Sequence, residues 1–148
     1  MEPPAAGRAL MSDLSWKSKY ELGIPMMDEQ HKRLFFLLTQ LHQSVASRLP
    51  KEQVQSILQS LLVQTAEHLH TEEVLMTQMG FPDLREHKKA HEKLLSGLRG
   101  LEVRFKEGDA SMALLVTTFL GGWLRTHIGQ EDRAYATHLE AGKQSRSA

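Results

Sequence analysis

The chain has no cysteine and no surplus of charge of either sign. Cysteine is absent from all 148 residues, which excludes disulfides, iron–sulfur clusters, thiolate zinc sites and thiol catalysis. Lysine plus arginine and aspartate plus glutamate both number 18. This balance argues against a nucleic-acid-binding protein, which would carry a basic surplus or stripe, so we expect no nucleic-acid partner.

Long apolar runs are missing too. The first residues, MEPPAAGRALMSDLSW, lack the apolar segment of a signal peptide. The longest apolar-leaning stretch, Met112 to Leu124, is too short to cross a bilayer. We therefore expect a soluble cytoplasmic protein with no membrane insertion. The neutral net charge and the lack of an obvious apolar surface stripe favour a monomer.

Strand signals are also absent, because no stretch alternates with period two and β-branched residues are few. Breaks at Pro50, at Gly80 with Pro82, and at Gly108 leave four long helical segments. The predicted helices cover about 29–48, 51–79, 82–107 and 109–128. The first is predicted to be capped by Asp28, and the third to open with a capping box of Asp83 and Glu86.

The fold class that follows is all-α, an antiparallel up-down-up-down four-helix bundle over residues 13–140. An irregular N-terminal arm over 13–27 and a short C-terminal helix over about 131–139 complete this domain. Residues 1–12 are rich in proline, alanine and glycine and residues 141–148 are small or polar. We expect both ends to be disordered.

Histidine is the abundant residue, with eight in the chain. Every predicted helix places at least one histidine on its apolar stripe, and the stripes together carry His31, His68, Glu72, His87, His91 and His127. A buried carboxylate costs several kcal/mol unless it is paired or bound to metal. Neutral imidazoles around a cation, with carboxylates to offset its charge, would satisfy the whole set.

The spacing within each helix supports a shared site. His68 with Glu72, and His87 with His91, are each four residues apart and therefore lie on one helix face. Asp132 follows His127 by five residues, which would turn it off the face of a straight helix. We expect a break at Gly129 to bring Asp132 back toward the core.

The remaining candidates are interpreted as structural. His42 is expected at the rim of the bundle, and His70 and His138 on the surface. Glu73 is expected at the surface or in an outer contact to the site. A set of methionines is interpreted as core filler rather than as a copper site: Met26, Met27, Met76, Met79 and Met112.

Four sequence elements resemble the hemerythrins, specifically the bacterial single-domain kind: GIPMMDEQHKRL, HLHTEE followed by VLM, GFPDLREHKKAHEKL and WLRTHIGQED. The resemblance extends from about Trp16 to Leu139. It implies a non-haem centre of two iron ions joined by an oxo or hydroxo bridge. One iron would be bound by His87, His91 and His127 and the other by His31 and His68, with Glu72 and Asp132 bridging the two.

The implied ligand set leaves one coordination position open on the iron held by His31 and His68, as in metal sites that bind a ligand. We expect reversible dioxygen binding there, for oxygen storage, transport or delivery, by a protein that is not an enzyme. The expected pocket wall is Leu34, Leu69, Trp123, Leu124 and Ile128. At Leu69, directly after His68, the family usually has phenylalanine. One wall of the pocket is therefore expected to be aliphatic rather than aromatic.

Two other functions stay open at the same site: oxygen or redox sensing, and detoxification of peroxide or nitric oxide. A ferritin-like di-iron enzyme is disfavoured, because such enzymes use two Glu-x-x-His motifs in the bundle core. Here only Glu67 and His70 have that spacing, and His70 lies off the apolar stripe.

Overall fold

Four long helices form the body of the protein, in a computed structural model that describes residues 14–147, with side chains as far as 141. They are α1 (Pro25–Ala46), α2 (Lys51–Met79), α3 (Leu84–Lys106) and α4 (Ser111–His127). A π-helical turn (Ile128–Asp132) connects α4 to a last helix, α5 (Arg133–Ser147). Each long helix packs against the next, and α1 packs against α4. The predicted four-helix bundle is confirmed.

Helix α1 begins earlier than predicted. It starts at Pro25 rather than near residue 29, because proline suits the first helical position, where its missing N–H costs nothing. Asp28 is therefore not the N-cap. Its buried carboxylate accepts hydrogen bonds from the backbone N–H groups of Leu22 at 2.9 Å and Gly23 at 3.1 Å. These bonds fasten the preceding arm to the first turn of α1.

The turn between α2 and α3 is partly as predicted. Helix α2 ends at Gly80, whose φ of 63° is the left-handed conformation that favours glycine. The capping box predicted for α3 is wrong, because Asp83 makes no side-chain capping hydrogen bond. Asp83 has a left-handed φ of 65°, whereas a capping side chain is normally presented by an extended backbone.

The C-terminal part of the chain also differs from the prediction. Helix α5 continues to Ser147, through most of the range 141–148 that was expected to be a disordered tail. Its sequence, RAYATHLEAGKQSRS, is rich in good helix formers and contains no proline. The disordered extension predicted for residues 1–12 lies outside the described residues.

The core is built from the predicted apolar stripes. Leu38, Leu41, Leu58, Leu61 and Leu98 are each 0% exposed, and burying each contributes roughly 1.5–3 kcal/mol. Among the described residues, no helix is both long and apolar enough to cross a membrane.

The N-terminal arm packs on this core along α1 and α4. A Cβ atom at Gly121 would come within 2.9 Å of Leu14 Cδ2, so the glycine leaves room for the arm. Tyr20 stacks on Phe35 with ring centroids 5.2 Å apart.

A second, smaller cluster lies beneath α5 and consists of Met27, Met76 and Tyr135, all 0% exposed. Met26 is an exception to the expectation that the methionines fill the core. It is 58% exposed, because it follows Pro25 on the outer side of the first turn of α1.

Candidate metal centre

Six of the seven predicted metal ligands meet inside the bundle, toward the end formed by the start of α1 and α3. Each is at most 3% exposed: His31, His68, Glu72, His91, His127 and Asp132. The structure thus brings together donors from α1, α2, α3, α4 and the π-helical turn.

Glu72 lies at the centre of three imidazoles. Its Oε2 atom is 2.8 Å from His127 Nε2 and 3.3 Å from His68 Nε2. Its Oε1 atom is 3.6 Å from His91 Nε2. Every one of these contacts is made by the Nε2 atom, so the three rings point the same nitrogen at one carboxylate.

Asp132 faces three imidazoles in the same way. Its Oδ2 atom is 2.8 Å from His31 Nε2 and 3.7 Å from His68 Nε2, and its Oδ1 atom is 3.1 Å from His127 Nε2. His68 and His127 therefore contact both carboxylates. The two acids occupy the middle of the cluster and the histidines surround them.

His87 is the outermost of the seven. Its side chain is 18% exposed, yet it offers a donor atom within 4.8 Å of those of Glu72 and His91. His68, Glu72, His127 and Asp132 form a second group with the same spacing. Glu72 belongs to both groups and so connects the α3 histidines to the rest of the centre.

The π-helical turn brings Asp132 into the site. We expected a break at Gly129, and that expectation is wrong, because the chain stays helical from Ser111 to Ser147. In an α-helix each residue rotates by about 100°, so five residues would leave Asp132 roughly 140° off the His127 face. A π-helix has hydrogen bonds between residues five apart, and the wider turn puts both side chains on the same side.

Three polar residues contact the outer nitrogens of the histidines: Gln30, Glu73 and Glu131. Gln30 and Glu131 were not singled out from the sequence, and Glu73 was placed at the surface or in an outer contact. His91 Nδ1 donates to Glu73 Oε1 at 3.0 Å, and His68 Nδ1 donates to Gln30 Oε1 at 2.8 Å. His127 Nδ1 lies 2.6 Å from Glu131 Oε2 in a close charge contact that is not aligned as a hydrogen bond. Such partners fix the ring orientation and direct Nε2 inward.

In the sequence, only their positions next to the proposed ligands could have indicated these outer residues. Gln30 precedes His31, Glu73 follows Glu72, and Glu131 comes one turn after His127. Many exposed polar residues share such positions, so contacts between helices were needed to identify them. Glu73 was expected at the surface or in an outer contact, and the structure gives it the outer contact to His91.

The two carboxylates and the imidazoles of His68, His91 and His127 stabilise one another's charged forms. Burial lowers the pKa of His68, but the charges of the neighbouring Asp132 and Glu72 carboxylates outweigh it and raise that pKa to about 9. Burial and the nearby Asp132 raise the pKa of Glu72, but close contacts with three histidines lower it to about 2. For His31 burial prevails, and its pKa is lowered despite the bond to Asp132.

Several buried polar atoms of this cluster have no hydrogen-bond partner among the described residues: His31 Nδ1, Glu72 Oε1, His91 Nε2 and both carboxylate oxygens of Asp132. In addition, the Nε2 atoms of His31 and His68 face each other at 3.2 Å. Unpaired buried polar atoms are costly. A cation inside the cluster would satisfy those of these atoms that face inward, namely Glu72 Oε1, His91 Nε2 and the Asp132 oxygens. Imidazole and carboxylate ligands together suit iron and similar transition metals, so the residues present fit a metal centre.

The predicted pocket wall lies in the apolar core next to the cluster. Leu34, Leu69, Leu124 and Ile128 are at most 2% exposed, and Trp123 is partly buried against the same core. The Trp123 ring stacks on His127 with centroids 4.3 Å apart.

The histidines interpreted as structural lie away from these contacts. His70 and His138 are exposed and His42 is half-buried. Glu67 is exposed as well, so the Glu67–His70 pair is not part of the core.

The chain resembles several known proteins over most of its length. The sequence pattern of the hemerythrin HHE cation binding domain matches residues 22–139. A bacteriohemerythrin of Stenotrophomonas maltophilia is 30% identical over 131 residues, which cover 88% of this chain and 84% of that protein. A hemerythrin-like protein of Naegleria gruberi is 32% identical over 124 residues, which cover 84% of this chain and 92% of that protein.

A structural match agrees with these sequence matches. The crystal structure of a mutant hemerythrin aligns with a TM-score of 0.77 and 27% sequence identity. The alignment covers 84% of this chain and 95% of that chain.

Proposed function

Because this chain belongs to the hemerythrin family, we propose that it binds dioxygen reversibly at two iron ions and stores, transports or delivers it, without catalysing a reaction. One observation carries the proposal. Two buried carboxylates lie side by side among imidazoles from all four long helices, and several inward-facing atoms of this cluster have no hydrogen-bond partner among the described residues.

The arrangement supports a pair of ions with shared carboxylates. His87, His91 and His127 would hold one iron, His31 and His68 the other, and Glu72 and Asp132 would bridge them together with an oxo or hydroxo group. His68 and His127 each contact both acids, which is what two bridging carboxylates require. When bound, a pair of ferrous ions supplies the two electrons that reversible dioxygen binding needs.

The chain itself would control what reaches this centre. Leu34, Leu69, Leu124 and Ile128 are buried and lie within one turn of the proposed ligands in sequence, so they would form an apolar wall that water has little tendency to enter. The Trp123 ring covers one face of His127. Glu73 and Gln30 hold their histidines in place from outside the centre. Exclusion of water and anions would favour release of dioxygen over loss of its reduced forms.

The test is metal content and reversibility in one preparation. Protein loaded anaerobically with ferrous salt should hold two iron ions per chain, change its absorption spectrum in air, and recover the first spectrum under argon. The His127→Ala variant should lose iron and the spectral change, whereas His70→Ala, which removes an exposed histidine, should keep both. One iron per chain, or irreversible oxidation on first aeration, would contradict the proposal.

Peroxide and nitric oxide distinguish carriage from the alternative functions. Each should be consumed by the reduced protein in at most a stoichiometric amount. Sustained turnover of either compound would assign detoxification instead. An undiminished capacity to bind dioxygen in air and release it under argon over repeated cycles would support storage or delivery.

A further inference from the structure

A cavity lies at the opposite end of the bundle from the metal centre. Its volume is about 300 Å³, and it is lined by residues at the end of α1, the start of α2, the end of α3 and the start of α4. His31 and Val45 are 14 residues apart on α1, so the cavity lies about 21 Å along the helix from the centre. The two sites are therefore separate.

The interior of the cavity is apolar. Val45, Leu49, Val54 and Phe105 contribute aliphatic and aromatic surface, and Val54 and Phe105 are only 5% and 4% exposed. A dry cavity of about 150 Å³ lined by such side chains holds benzene. A cavity of 300 Å³ would therefore accept a chain of roughly eight carbon atoms.

The rim of the cavity is cationic. Arg48 and Lys51 line it, and no carboxylate side chain of the described residues does. Lys51 Nζ donates to the backbone oxygen of Lys106 at 2.8 Å, which fixes this ammonium group across the gap between α2 and α3. Two positive charges beside an apolar interior complement a molecule with an apolar chain and one negative end.

Arg48 has an unusual backbone for a residue with a side chain. Its φ of 55° is left-handed, and it occupies the position after α1 where helices commonly have glycine. The turn is closed by the backbone N–H of Leu49, which donates to the oxygen of Ser44 at 3.0 Å. Glycine would adopt this conformation without strain, so the local backbone does not account for an arginine here.

From the apolar interior, the cationic rim and the volume, we propose that this cavity binds a small amphipathic monocarboxylate, a straight-chain or aromatic acid of roughly eight carbons. The carboxylate would lie between Arg48 and Lys51, and the chain would occupy the space between Val45, Val54 and Phe105. This ligand site is distinct from the proposed dioxygen site and does not depend on it.

Calorimetric titration of the iron-loaded full chain tests the proposal, with sodium octanoate as the probe and 1-octanol and acetate as comparisons. Octanoate should bind at one site per chain, and acetate should give no saturable signal. Removing one charged hydrogen-bonding partner should weaken octanoate binding about tenfold in Arg48→Gly. Octanol binding should be unchanged in that variant, because the apolar wall is intact.

The Arg48→Gly variant is suited to this test because glycine favours the left-handed backbone at that position. It should fold, and its oxygen uptake should match that of the unaltered protein. Arg99→Ala removes the same charge from an exposed position outside the cavity and should leave octanoate affinity unchanged. Val45→Trp, which fills the interior, should abolish binding of both octanoate and octanol.

Three results would overturn the inference. Octanoate could fail to bind at one site per chain. Its affinity could be the same in Arg48→Gly as in the unaltered protein. Arg99→Ala could weaken it as much as Arg48→Gly does, which would indicate a general charge effect.

Discussion

Removing the carboxylate of Glu73 should weaken metal binding, although Glu73 is not one of the proposed ligands. His91 Nδ1 donates to Glu73 Oε1 at 3.0 Å, and the His91 ring is 3% exposed. In Glu73→Ala this N–H would lose its acceptor in a place where water has little access. Loss of an outer partner of a metal-binding histidine typically costs 10–100-fold in affinity, or about 1.4–2.7 kcal/mol. Because Glu73 is only 23% exposed, a water molecule should compensate little for the lost hydrogen bond to His91.

Competition against a chromophoric ferrous chelator under anaerobic conditions measures this effect. Glu73→Gln keeps an oxygen acceptor and should recover most of the affinity. Glu67→Ala is the matched control, because it removes the same charge from an exposed position on the same helix. If Glu73→Ala held iron as tightly as Glu67→Ala, the orienting role assigned to Glu73 would be refuted.

Three further predictions follow from the site. Insertion of one alanine after Gly129 should add about 100° of rotation between His127 and Asp132, turn Asp132 out of the centre and abolish iron binding, as elemental analysis of the folded variant would show. Burial lowers the pKa of His68 but the neighbouring carboxylates raise it to about 9, so its contribution to stability without metal is complete below pH 6.5 and lost as the pH rises through 9. Over that interval metal binding should strengthen by up to roughly tenfold per pH unit, because His68 must release a proton; urea unfolding and metal titration at pH 6.5, 7.5 and 9 check both trends. Leu34→Asn and Trp123→Ala should each shorten the lifetime of the oxygenated protein by admitting water, and unchanged lifetimes in both would reject the pocket-wall assignment.

The helices and most of the centre could be predicted because burial repeats with the period of the helix. Leu34, Leu38 and Leu41 mark the buried face of α1, and His31 continues the same stripe. When four such stripes face one core, polar residues at one level must meet. Loop geometry does not enter here, so the positions of His68, Glu72 and His91 follow from spacing alone.

The turn around Gly129 could not be predicted in the same way. Glycine often ends a helix, yet here residues Ile128–Asp132 form a π-helical turn. A local pattern does not distinguish these outcomes, because the wider turn is stabilised by what Asp132 reaches elsewhere: His31 on α1 and His127 on α4. The capping box at Asp83 failed for a related reason, since the preceding turn imposes a left-handed backbone.

The uneven exposure of the seven proposed ligands has a consequence for how metal enters and leaves. Solvent reaches His87, whose side chain is 18% exposed, while Asp132 and Glu72 are 0% exposed. We expect exchange with the medium to begin at the α3 edge, so that brief treatment with a chelator removes one ion before the other. Half-depleted samples would then be a single species, with the ion near α1 retained.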